Sequence, residues 1–434
     1  MSLEKTIDTN KVTRKIIKKK VDIKRAISLF SGAGGDTLGL EKAGYNVVAF
    51  SEFNKSAIET HLKNFEKSVH LRTDKSTDIK EIPDSIFETY KGFVELVFAG
   101  FPCQGFSNAG KKKENDPRNE LVYEFVRVVK CVEPKWFIGE NVRGLLSRKG
   151  TDPKTKKKIP VINIIKSIFE DIGYSITWKV VTATDFNVPQ ERKRLIIIGH
   201  KNTLIKDNSI YPHFPWLEVE SQFKEIPNIR TLLEDTLEGA MEFPTSQIPK
   251  ELLKDTIWLN TEKTEVLEDN VVHPNLVRLV NGIRNKSTKE IIEETNGKPE
   301  DLKEKTMKIE GGLVSFYKRI SSQHGQICDP DAPSKTIICT YGTCPRLFIG
   351  LHNPKINKYW IRTFTTRELG QIQGFPKDYQ FCGNEKAVIT QIGNAVPPSI
   401  IEHIAKNLNK VVFSDIPQII PNQQNNDDSD SDVE

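Results

Sequence analysis

Two short segments carry side chains that could do covalent or acid–base chemistry. In the first, Cys103 follows an apolar run at residues 94–100, within Gly-Phe-Pro-Cys-Gln-Gly-Phe-Ser. A lone cysteine is usually a core residue, but Pro102 and Cys103 lead into a glycine- and serine-containing loop, which favours a reactive thiol. In the second, Glu140 closes an apolar run at residues 136–139. A carboxylate in such a position is usually solvated, so Glu140 alone indicates little.

A glycine-rich turn and two later carboxylates suggest an adenosine-containing ligand. Gly32, Gly34 and Gly35 follow a first apolar run and precede a helical pattern, so the backbone could approach a ligand closely there. Glu52 closes the next apolar run about 20 residues later, where a carboxylate can bind both ribose hydroxyls. Asp78 follows within reach of an adenine amino group, although a loop residue without a ligand is equally consistent with its position.

The cysteines and histidines do not predict a metal site. Cys339 and Cys344, with Cys328 and His324 nearby, are the alternative, but their spacing fits no common closed zinc site. Cys131 lies on an apolar helix face and is expected in the core. The 6 cysteines have neither the density nor the spacing of a disulfide framework, which favours a reducing compartment.

Apolar runs that alternate with helical patterns predict the elements that hold these residues. Their rhythm is typical of an open α/β fold with a mainly parallel sheet. In such a sheet ligands bind beyond the carboxyl ends of the strands. Cys103 follows the strand at residues 94–100 and would therefore lie beside a bound ligand. The predicted strands are residues 26–30, 47–51, 94–100, 136–139, 176–183 and 195–199, and the predicted helices are residues 35–43, 55–64, 121–131, 161–172 and 399–412.

Composition divides the chain into five segments. Near residue 201 the sequence becomes polar, irregular and rich in mixed charge, which predicts a smaller domain inserted into the first. The basic arm at the N-terminus could be a solvated extension or could grip DNA, and both remain open. The predicted segments are residues 1–25 (basic arm), 26–200 (catalytic and cofactor-binding domain), 201–345 (inserted domain), 346–412 (return to the first domain, with a closing helix) and 413–434 (acidic disordered tail).

Charge and hydropathy narrow the class of protein. The formal net charge of +5 is too small to establish a nucleic-acid partner. The lysine-rich N-terminus is followed by no apolar stretch, and no run approaches about 18 apolar residues. We therefore expect a soluble intracellular protein without a signal peptide or a membrane partner.

Six motifs stand in a fixed order along the chain. They are Phe-x-Gly-x-Gly from Phe30, Pro-Cys-Gln from Pro102, Glu-Asn-Val from Glu140, Gln-x-Arg-x-Arg from Gln190, Arg-Glu at Arg367 with Gln-Gly-Phe-Pro from Gln373, and Gln-Ile-Gly-Asn-Ala-Val-Pro from Gln391. Together they closely resemble the cytosine-C5 DNA methyltransferase family. The resemblance covers roughly residues 26–412, although residues 201–320 match by position only. It implies a Rossmann-like catalytic domain in which residues 201–345 form a target-recognition domain.

The resemblance also implies roles for individual residues. S-adenosylmethionine would donate a methyl group to C5 of a cytosine flipped out of double-stranded DNA. Cys103 would add to cytosine C6, and Glu140 would engage N3 and be at least partly protonated. Arg192 would hydrogen-bond the cytosine carbonyl, and Arg194 would support the base and the catalytic loop at residues 104–121. The residues implied to surround the cofactor are Phe30, Gly32, Gly34, Glu52, Phe53, Asp78, Ile79, Pro102, Leu121, Asn394 and Val396.

Two departures from the family pattern and two alternatives bear on this hypothesis. Thr77 precedes Asp78 where glycine is commoner, which makes the Asp78 assignment less secure, and Phe53 replaces a tryptophan. An RNA-directed enzyme is one alternative, but Gly-Phe-Ser-Asn-Ala-Gly after Pro-Cys-Gln favours DNA. An inactive DNA-binding module is the other, and the presence of every catalytic residue disfavours it. We expect a monomer that acts at DNA, in the cytoplasm, nucleoid or nucleus, with a cognate restriction endonuclease as a candidate partner.

Overall fold

Two seven-stranded sheets organise the chain in a computed structural model. The structure describes residues 24–102, 121–202, 211–220, 222–223, 225–245, 248, 257–277, 308–310, 313–315 and 325–414. Most of the predicted basic arm, the predicted catalytic cysteine with most of its loop, and most of the predicted acidic tail lie outside these ranges. Residues 24–25 and 413–414, which were assigned to the arm and the tail, belong to strands.

The elements of the described residues are numbered in chain order. The strands are β1 (Lys24–Leu29), β2 (Tyr45–Ser51), β3 (Val69–His70), β4 (Leu96–Ala99), β5 (Trp136–Val142), β6 (Lys149–Thr151), β7 (Lys158–Pro160), β8 (Tyr174–Thr182), β9 (Gln190–Glu191), β10 (Lys193–Lys201), β11 (Tyr211–His213), β12 (Met241–Glu242), β13 (Trp258–Asn260), β14 (Lys308–Glu310), β15 (Leu313–Ser315), β16 (Gln326–Ile327), β17 (Ser334–Lys335), β18 (Leu347–Asn353), β19 (Lys358–Thr363) and β20 (Val412–Ser414). The helices are α1 (Gly35–Lys42), α2 (Lys55–Asn64), α3 (Asp84–Glu88), α4 (Leu121–Val132), α5 (Val161–Glu170), α6 (Trp216–Glu220), α7 (Thr366–Ile372), α8 (Glu385–Asn394) and α9 (Pro398–Lys406).

The first sheet has the strand order β3-β2-β1-β4-β5-β10-β8. Strands β1 to β5 pair in parallel, whereas β10 runs antiparallel to both β5 and β8. Helices α4 and α5 cover one face with residues such as Phe125 and Ile165, and α1 and α9 cover the other with Leu40 and Ile401. The strand order reverses between β1 and β4, and such a switch point opens a crevice at the carboxyl ends. The predicted α/β, Rossmann-like fold class is confirmed.

The second sheet has the order β12-β19-β18-β16-β15-β14, with β13 paired to β18. Its core includes Trp258, Phe348, Tyr359 and Trp360. Strands β18 and β19 pair with β12, β13 and β16, although the sequence placed residues 346–412 in the returning part of the first domain. The predicted boundary after residue 345 therefore falls inside this sheet, because the apolar run in β18 pairs with β13 rather than with the first sheet.

Two helix ends differ from the prediction by two residues or more. The last helix, predicted at residues 399–412, ends at Lys406, and a 3-10 turn and β20 follow. Asn407 caps it, with its side-chain amide donating to the His403 carbonyl at 2.7 Å. Helix α5 ends at Glu170 rather than at residue 172. Among the described residues no helix is long and apolar enough to cross a membrane.

Candidate active site

One cavity of about 910 Å³ lies at the carboxyl ends of β1, β2, β4 and β5. It brings together residues from five of the six motifs; the motif at residues 367–376 contributes none. Cys103 lies outside the described residues, and Gly34 does not line the cavity. The predicted site residues that do line it are Phe30, Gly32, Glu52, Phe53, Asp78, Ile79, Pro102, Leu121, Glu140, Arg192, Arg194, Asn394 and Val396.

The glycine turn after β1 is held by close packing. Gly32 and Gly34 have φ values of 54° and 84°, which favour glycine. A Cβ on Gly34 would lie 2.6 Å from the ring of Phe65, and one on Gly35 would lie 2.3 Å from the Val396 carbonyl oxygen. A Cβ on Gly32 would meet no atom within 4 Å and would extend into the open cavity. Gly34 and Gly35 therefore shape the loop, while Gly32 leaves room beside it.

Glu52 closes β2 and is fixed by three backbone groups. Its Oε2 accepts from the Gly32 N–H at 2.8 Å, and its Oε1 accepts from Phe53 and Asn54 at 2.9 and 2.8 Å. Burial raises the pKa of the Glu52 carboxyl above its ordinary value, and these N–H donors act in the opposite direction. The next side chain, Phe53, is 73% exposed. A fixed carboxylate thus stands beside an open aromatic face.

Asp78 and Ile79 lie on the same cavity wall with different surroundings. Asp78 is exposed and caps a 3-10 turn, where its Oδ1 accepts from the Lys80 N–H at 3.0 Å. Ile79 is buried beneath it. One oxygen of Asp78 therefore serves the turn, and the apolar surface of Ile79 adjoins it.

Glu140 and Arg194 meet across the antiparallel pair β5–β10. The Arg194 Nε lies 3.1 Å from the Glu140 Oε1, and both side chains are nearly buried. The following residue, Asn141, donates from its amide to the Phe101 carbonyl at 2.9 Å. This bond fixes the end of β5 against the segment that leads to Pro102.

Arg192 has different partners from those that the resemblance implied. Its guanidinium donates to the carbonyls of Ile337 at 3.0 Å, Gly393 at 2.8 Å and Ala395 at 3.3 Å. The residue is only 2% exposed. These bonds tie three distant segments together. Arg192 also lines the cavity, and its contact with the cytosine carbonyl stays a prediction. Arg194 has the guanidinium that stands beside Glu140.

The two motif glutamines extend this connection. The Gln190 amide donates to the Gln373 Oε1 at 2.7 Å, while the Gln190 Oε1 accepts from the Ile337 N–H at 3.1 Å. Gln373 in turn donates to the Ala395 carbonyl at 2.5 Å. Both glutamines are fully buried. Two of the motifs thus hold the C-terminal segment against the first sheet, which brings Asn394 and Val396 to the cavity.

Sequence reasoning missed one acidic residue of the cavity wall. Asp36 lines the cavity although it is only 2% exposed. Its position in the first turn after the glycine loop was the available signal, but aspartate at a helix start is commonly a capping or dipole residue. Lys386 and Thr390 of α8, and Asn384, which caps the start of this helix, also line the wall.

No group of three or more metal-ligating side chains comes together within the described ranges. Cys328 is buried, and burial raises the pKa of its thiol to about 12. Cys339 and Cys344 are partly buried, and His324 lies outside the described residues.

The chain matches one family model and several characterised proteins. Residues 24–410 match the family described as C-5 cytosine-specific DNA methylase. Type II methyltransferase M.FnuDI of Fusobacterium nucleatum is 28% identical over 89% of this chain and 95% of that protein. Type II methyltransferase M.PspPI of a Psychrobacter species is 31% identical over 88% of this chain and 77% of that protein. A solved structure of a Spodoptera frugiperda DNMT2 variant has a TM-score of 0.55 and 16% identity, covers 89% of this chain and 99% of its own, and is similar in fold.

Proposed function

The chain belongs to the C-5 cytosine-specific DNA methylase family and is a DNA cytosine-C5 methyltransferase, and from this premise we propose how its own residues perform the reaction. We infer that the cavity binds S-adenosylmethionine and that Cys103 bonds covalently to C6 of a cytosine flipped out of double-stranded DNA. The Glu140–Arg194 pair in the cavity wall is the observation that carries the proposal.

The side chains of the cavity fit an adenosyl amino acid. Glu52 keeps lone pairs for the ribose hydroxyls, because its three backbone bonds fix the carboxylate without using all of its accepting capacity. The open ring of Phe53, with Ile79, Pro102 and Leu121, offers apolar surface for the adenine. Asp78 would accept from the adenine amino group. When bound, S-adenosylmethionine supplies an electrophilic methyl group.

Cys103 would activate the cytosine ring. A thiolate that adds to C6 breaks the aromaticity of the ring and increases electron density at C5, where the methyl group is taken up. A cysteine suits this step because even a few per cent of thiolate is strongly nucleophilic. Loss of the C5 proton and elimination of the thiolate then release the methylated base.

Glu140 and Arg194 would act on the opposite edge of the base. A hydrogen bond or proton from Glu140 to N3 withdraws electrons from the ring and favours attack at C6. Arg194 would donate to the cytosine carbonyl and stabilise the charge that develops there. Its ion pair with Glu140 holds the two groups beside each other, since the register of β5 and β10 fixes their positions.

The substrate must be reached outside the helix. No side chain can attack C6 within a base stack, so the target cytosine must leave the duplex at a cost of a few kcal/mol. We propose that the cationic residues of the loop at 104–121 contact phosphates and that the inserted domain reads base edges. That the named relatives are Type II methyltransferases supports DNA over RNA as the substrate.

The same relatives suggest a biological setting. We propose that the protein acts as a monomer at cellular DNA, beside a restriction endonuclease that cuts the same sequence. A standard test follows from this: plasmid from cells that express the protein should resist cleavage by one such endonuclease.

A direct test uses labelled S-adenosylmethionine with duplex DNA and, separately, with folded tRNA. Label should enter the DNA, and bisulfite sequencing should find protected cytosines within one short sequence. Cys103→Ala provides the matched inactive control. Label that enters only RNA, or that lies on the exocyclic amine of cytosine, would contradict the proposal.

A further inference from the structure

A buried carboxyl group lies directly beneath the cofactor loop, and the mechanism above does not use it. The Asp36 carboxylate accepts from the hydroxyl of Ser28 in β1 and from the hydroxyl of Ser31 in the loop at 3.2 Å. The Thr37 hydroxyl lies 3.4 Å away. Asp36 also lines the cavity, so it contacts both a strand of the first sheet and the proposed cofactor space.

The titratable groups around Asp36 come from three other elements. On α2, His61 lies 3.0 Å from the Thr37 hydroxyl and stacks on Phe50. Burial lowers the pKa of His61 to about 3, so this imidazole is neutral and offers no positive charge. In the C-terminal segment, Tyr379 donates to the Ala33 carbonyl, and burial raises the pKa of this phenol well above its ordinary value.

The remaining titratable neighbours are acidic. Glu41 lies on the same helix as Asp36, and burial raises the pKa of Glu41 as well. Glu52 stands across the loop on β2 and lines the same cavity. Burial raises the pKa of Asp36 to about 7, with the hydroxyl and N–H donors opposing the rise. A cation placed near Asp36 would therefore favour loss of its proton.

Gly35, the residue before Asp36, adjoins the part of the cavity that Val396 and Glu140 line. The position of a Gly35 Cβ is 2.3 Å from the Val396 carbonyl oxygen. The position of a Gly100 Cβ is 3.7 Å from both the Val396 side chain and the Glu140 Oε2. Glu140 marks the place of the cytosine, so the sulfonium and the amino-acid group of the methyl donor must approach this part of the cavity.

We propose that Asp36 is a cofactor-binding residue whose carboxylate balances the positive charge of the sulfonium and ammonium groups, and that it gives up a proton when S-adenosylmethionine binds. This inference rests on the proposed cofactor site. The O–H bond of the Asp36 carboxyl breaks, the proton passes to the buffer, and no other bond changes. Affinity for S-adenosylmethionine then increases with pH, by up to about tenfold per unit below pH 7, and levels off above it.

Calorimetric titration at pH 6.5 in buffers of different ionisation enthalpy measures the protons released on binding. S-adenosylmethionine should release roughly 0.8 proton, the protonated fraction at pH 6.5 of a group that titrates near pH 7. The product S-adenosylhomocysteine, which lacks the sulfonium, should release less, and methylthioadenosine, which lacks both cations, should release almost none. The α-amino group of the donor stays protonated at this pH, since such groups titrate near pH 8.

Asp36→Asn tests the assignment. It should abolish the proton release and make S-adenosylmethionine affinity independent of pH. At pH 7.5 it should weaken S-adenosylmethionine binding about tenfold. Affinity for methylthioadenosine should stay within about twofold of the wild type. Glu41→Gln is the control, because it removes another carboxyl from the same helix and should preserve the release. Ser28→Ala, which removes one donor to the carboxylate, should move the pH dependence upward and provides the test if Asp36→Asn fails to fold.

The outcomes separate this inference from the proposed function. If the wild type binds S-adenosylmethionine tightly without releasing a proton, or if Asp36→Asn releases as much as the wild type, the role of Asp36 is wrong while the cofactor site stands. If the wild type binds neither S-adenosylmethionine nor methylthioadenosine, the cofactor site itself is wrong.

Discussion

Arg192 and Arg194 come from one motif and stand two residues apart, yet their guanidinium groups have different partners. Arg192 bonds three backbone carbonyls from segments beyond residue 330, and Arg194 meets Glu140. The two arginines of this motif therefore differ in function. One arginine stabilises the assembly of the site, and the other is available to the chemistry.

This difference predicts that arginine-to-lysine substitutions at the two positions have different effects on stability and activity. Arg192→Lys loses at least two charge-assisted hydrogen bonds, so the free energy of unfolding should fall by about 2–4 kcal/mol. Arg194→Lys keeps a positive charge beside Glu140 but loses the planar donor, so kcat should fall by about tenfold or more with little change in melting temperature. Thermal denaturation and single-turnover methylation measure the two effects. Equal loss of stability in both variants would contradict this difference.

Glu140→Gln should slow methyl transfer by about 10²–10⁴-fold. The amide keeps the shape of the side chain but cannot supply a proton to N3, so affinity for target DNA should stay close to that of the wild type. Single-turnover rates and equilibrium DNA binding measure these quantities separately. Weakened DNA binding with an unchanged rate would assign Glu140 to positioning instead.

Cys103→Ala should abolish methylation and retain cofactor affinity, because the thiol takes no part in holding the cofactor. DNA with 5-fluorocytosine at the target should trap the wild type as an adduct that survives denaturation, and only when S-adenosylmethionine is present, since fluorine cannot leave C5 as a cation. Cys103→Ser should trap far less, because its hydroxyl is almost wholly protonated. A peptide map that finds the adduct on Cys131 or Cys339 would move the nucleophile.

Residue types and spacing were enough to predict 13 residues of the cavity wall, including Glu52, Glu140 and Asn394. They could not predict the direction of a side chain. The partners of Arg192 depend on where residues 337, 393 and 395 return in space, and Asp36 reaches the cavity only because Ser28 and Ser31 hold its carboxylate. Such contacts join residues whose sequence separation carries no local signal.

At the scale of elements, the start of α1 depends on the absence of side chains. Gly35 lies against the Val396 carbonyl and Gly39 against the Pro398 carbonyl, with Cβ positions 2.3 and 2.4 Å from these oxygens. Helix α1 can therefore pack closely on the segment that enters α9. This packing couples the cofactor loop to the C-terminal end of the fold.

Gly35→Ala should disturb that coupling. The new methyl group would overlap a backbone oxygen, so the loop must shift, and we expect a loss of about 1–3 kcal/mol in the free energy of unfolding together with weaker S-adenosylmethionine binding. Gly144→Ala is the control, because its Cβ would lie 4.0 Å from its nearest neighbour and its φ is not positive. Denaturant unfolding and calorimetry compare the stability and the S-adenosylmethionine affinity of the two variants. Equal values for both variants would show that the backbone near Val396 moves aside without cost.

The alternation of strands and helices predicted the first sheet because buried parallel strands are apolar runs bounded by turns. Predicted and observed bounds of α2 coincide at residues 55–64. The second sheet gave no such pattern. Its strands β12, β13 and β16 have only two or three residues, too few for a periodic signal, so their pairing with β18 and β19 could not be predicted.

At the scale of the whole molecule, the order of the chain bears on where the second domain ends. The chain segment that carries the last motifs returns to the cavity. The apolar runs just before these motifs are therefore predicted to belong to the first domain. In the structure β18 and β19 complete the second sheet, and the buried pair Arg362–Glu368 then joins this sheet to α7, with the Arg362 Nη2 2.6 Å from the Glu368 Oε1. The unit that recognises DNA should therefore extend to residue 363.

A pair of grafts into a related methyltransferase of different target sequence tests this boundary together with the recognition role. The graft of residues 201–363 carries all strands of the second sheet that the structure describes, so it should fold, methylate DNA and transfer the target sequence of this protein. The graft of residues 201–345 separates β12, β13 and β16 from β18 and β19, and should lose stability and activity because those pairings must form across mismatched side chains.

Bisulfite sequencing identifies the target and circular dichroism reports folding. If the longer graft is active but keeps the recipient's target, sequence recognition lies outside the second domain, and the cationic loop at residues 104–121 becomes the candidate. If the shorter graft is as stable and active as the longer, the pairing of β18 with β13 and β16 does not define the unit.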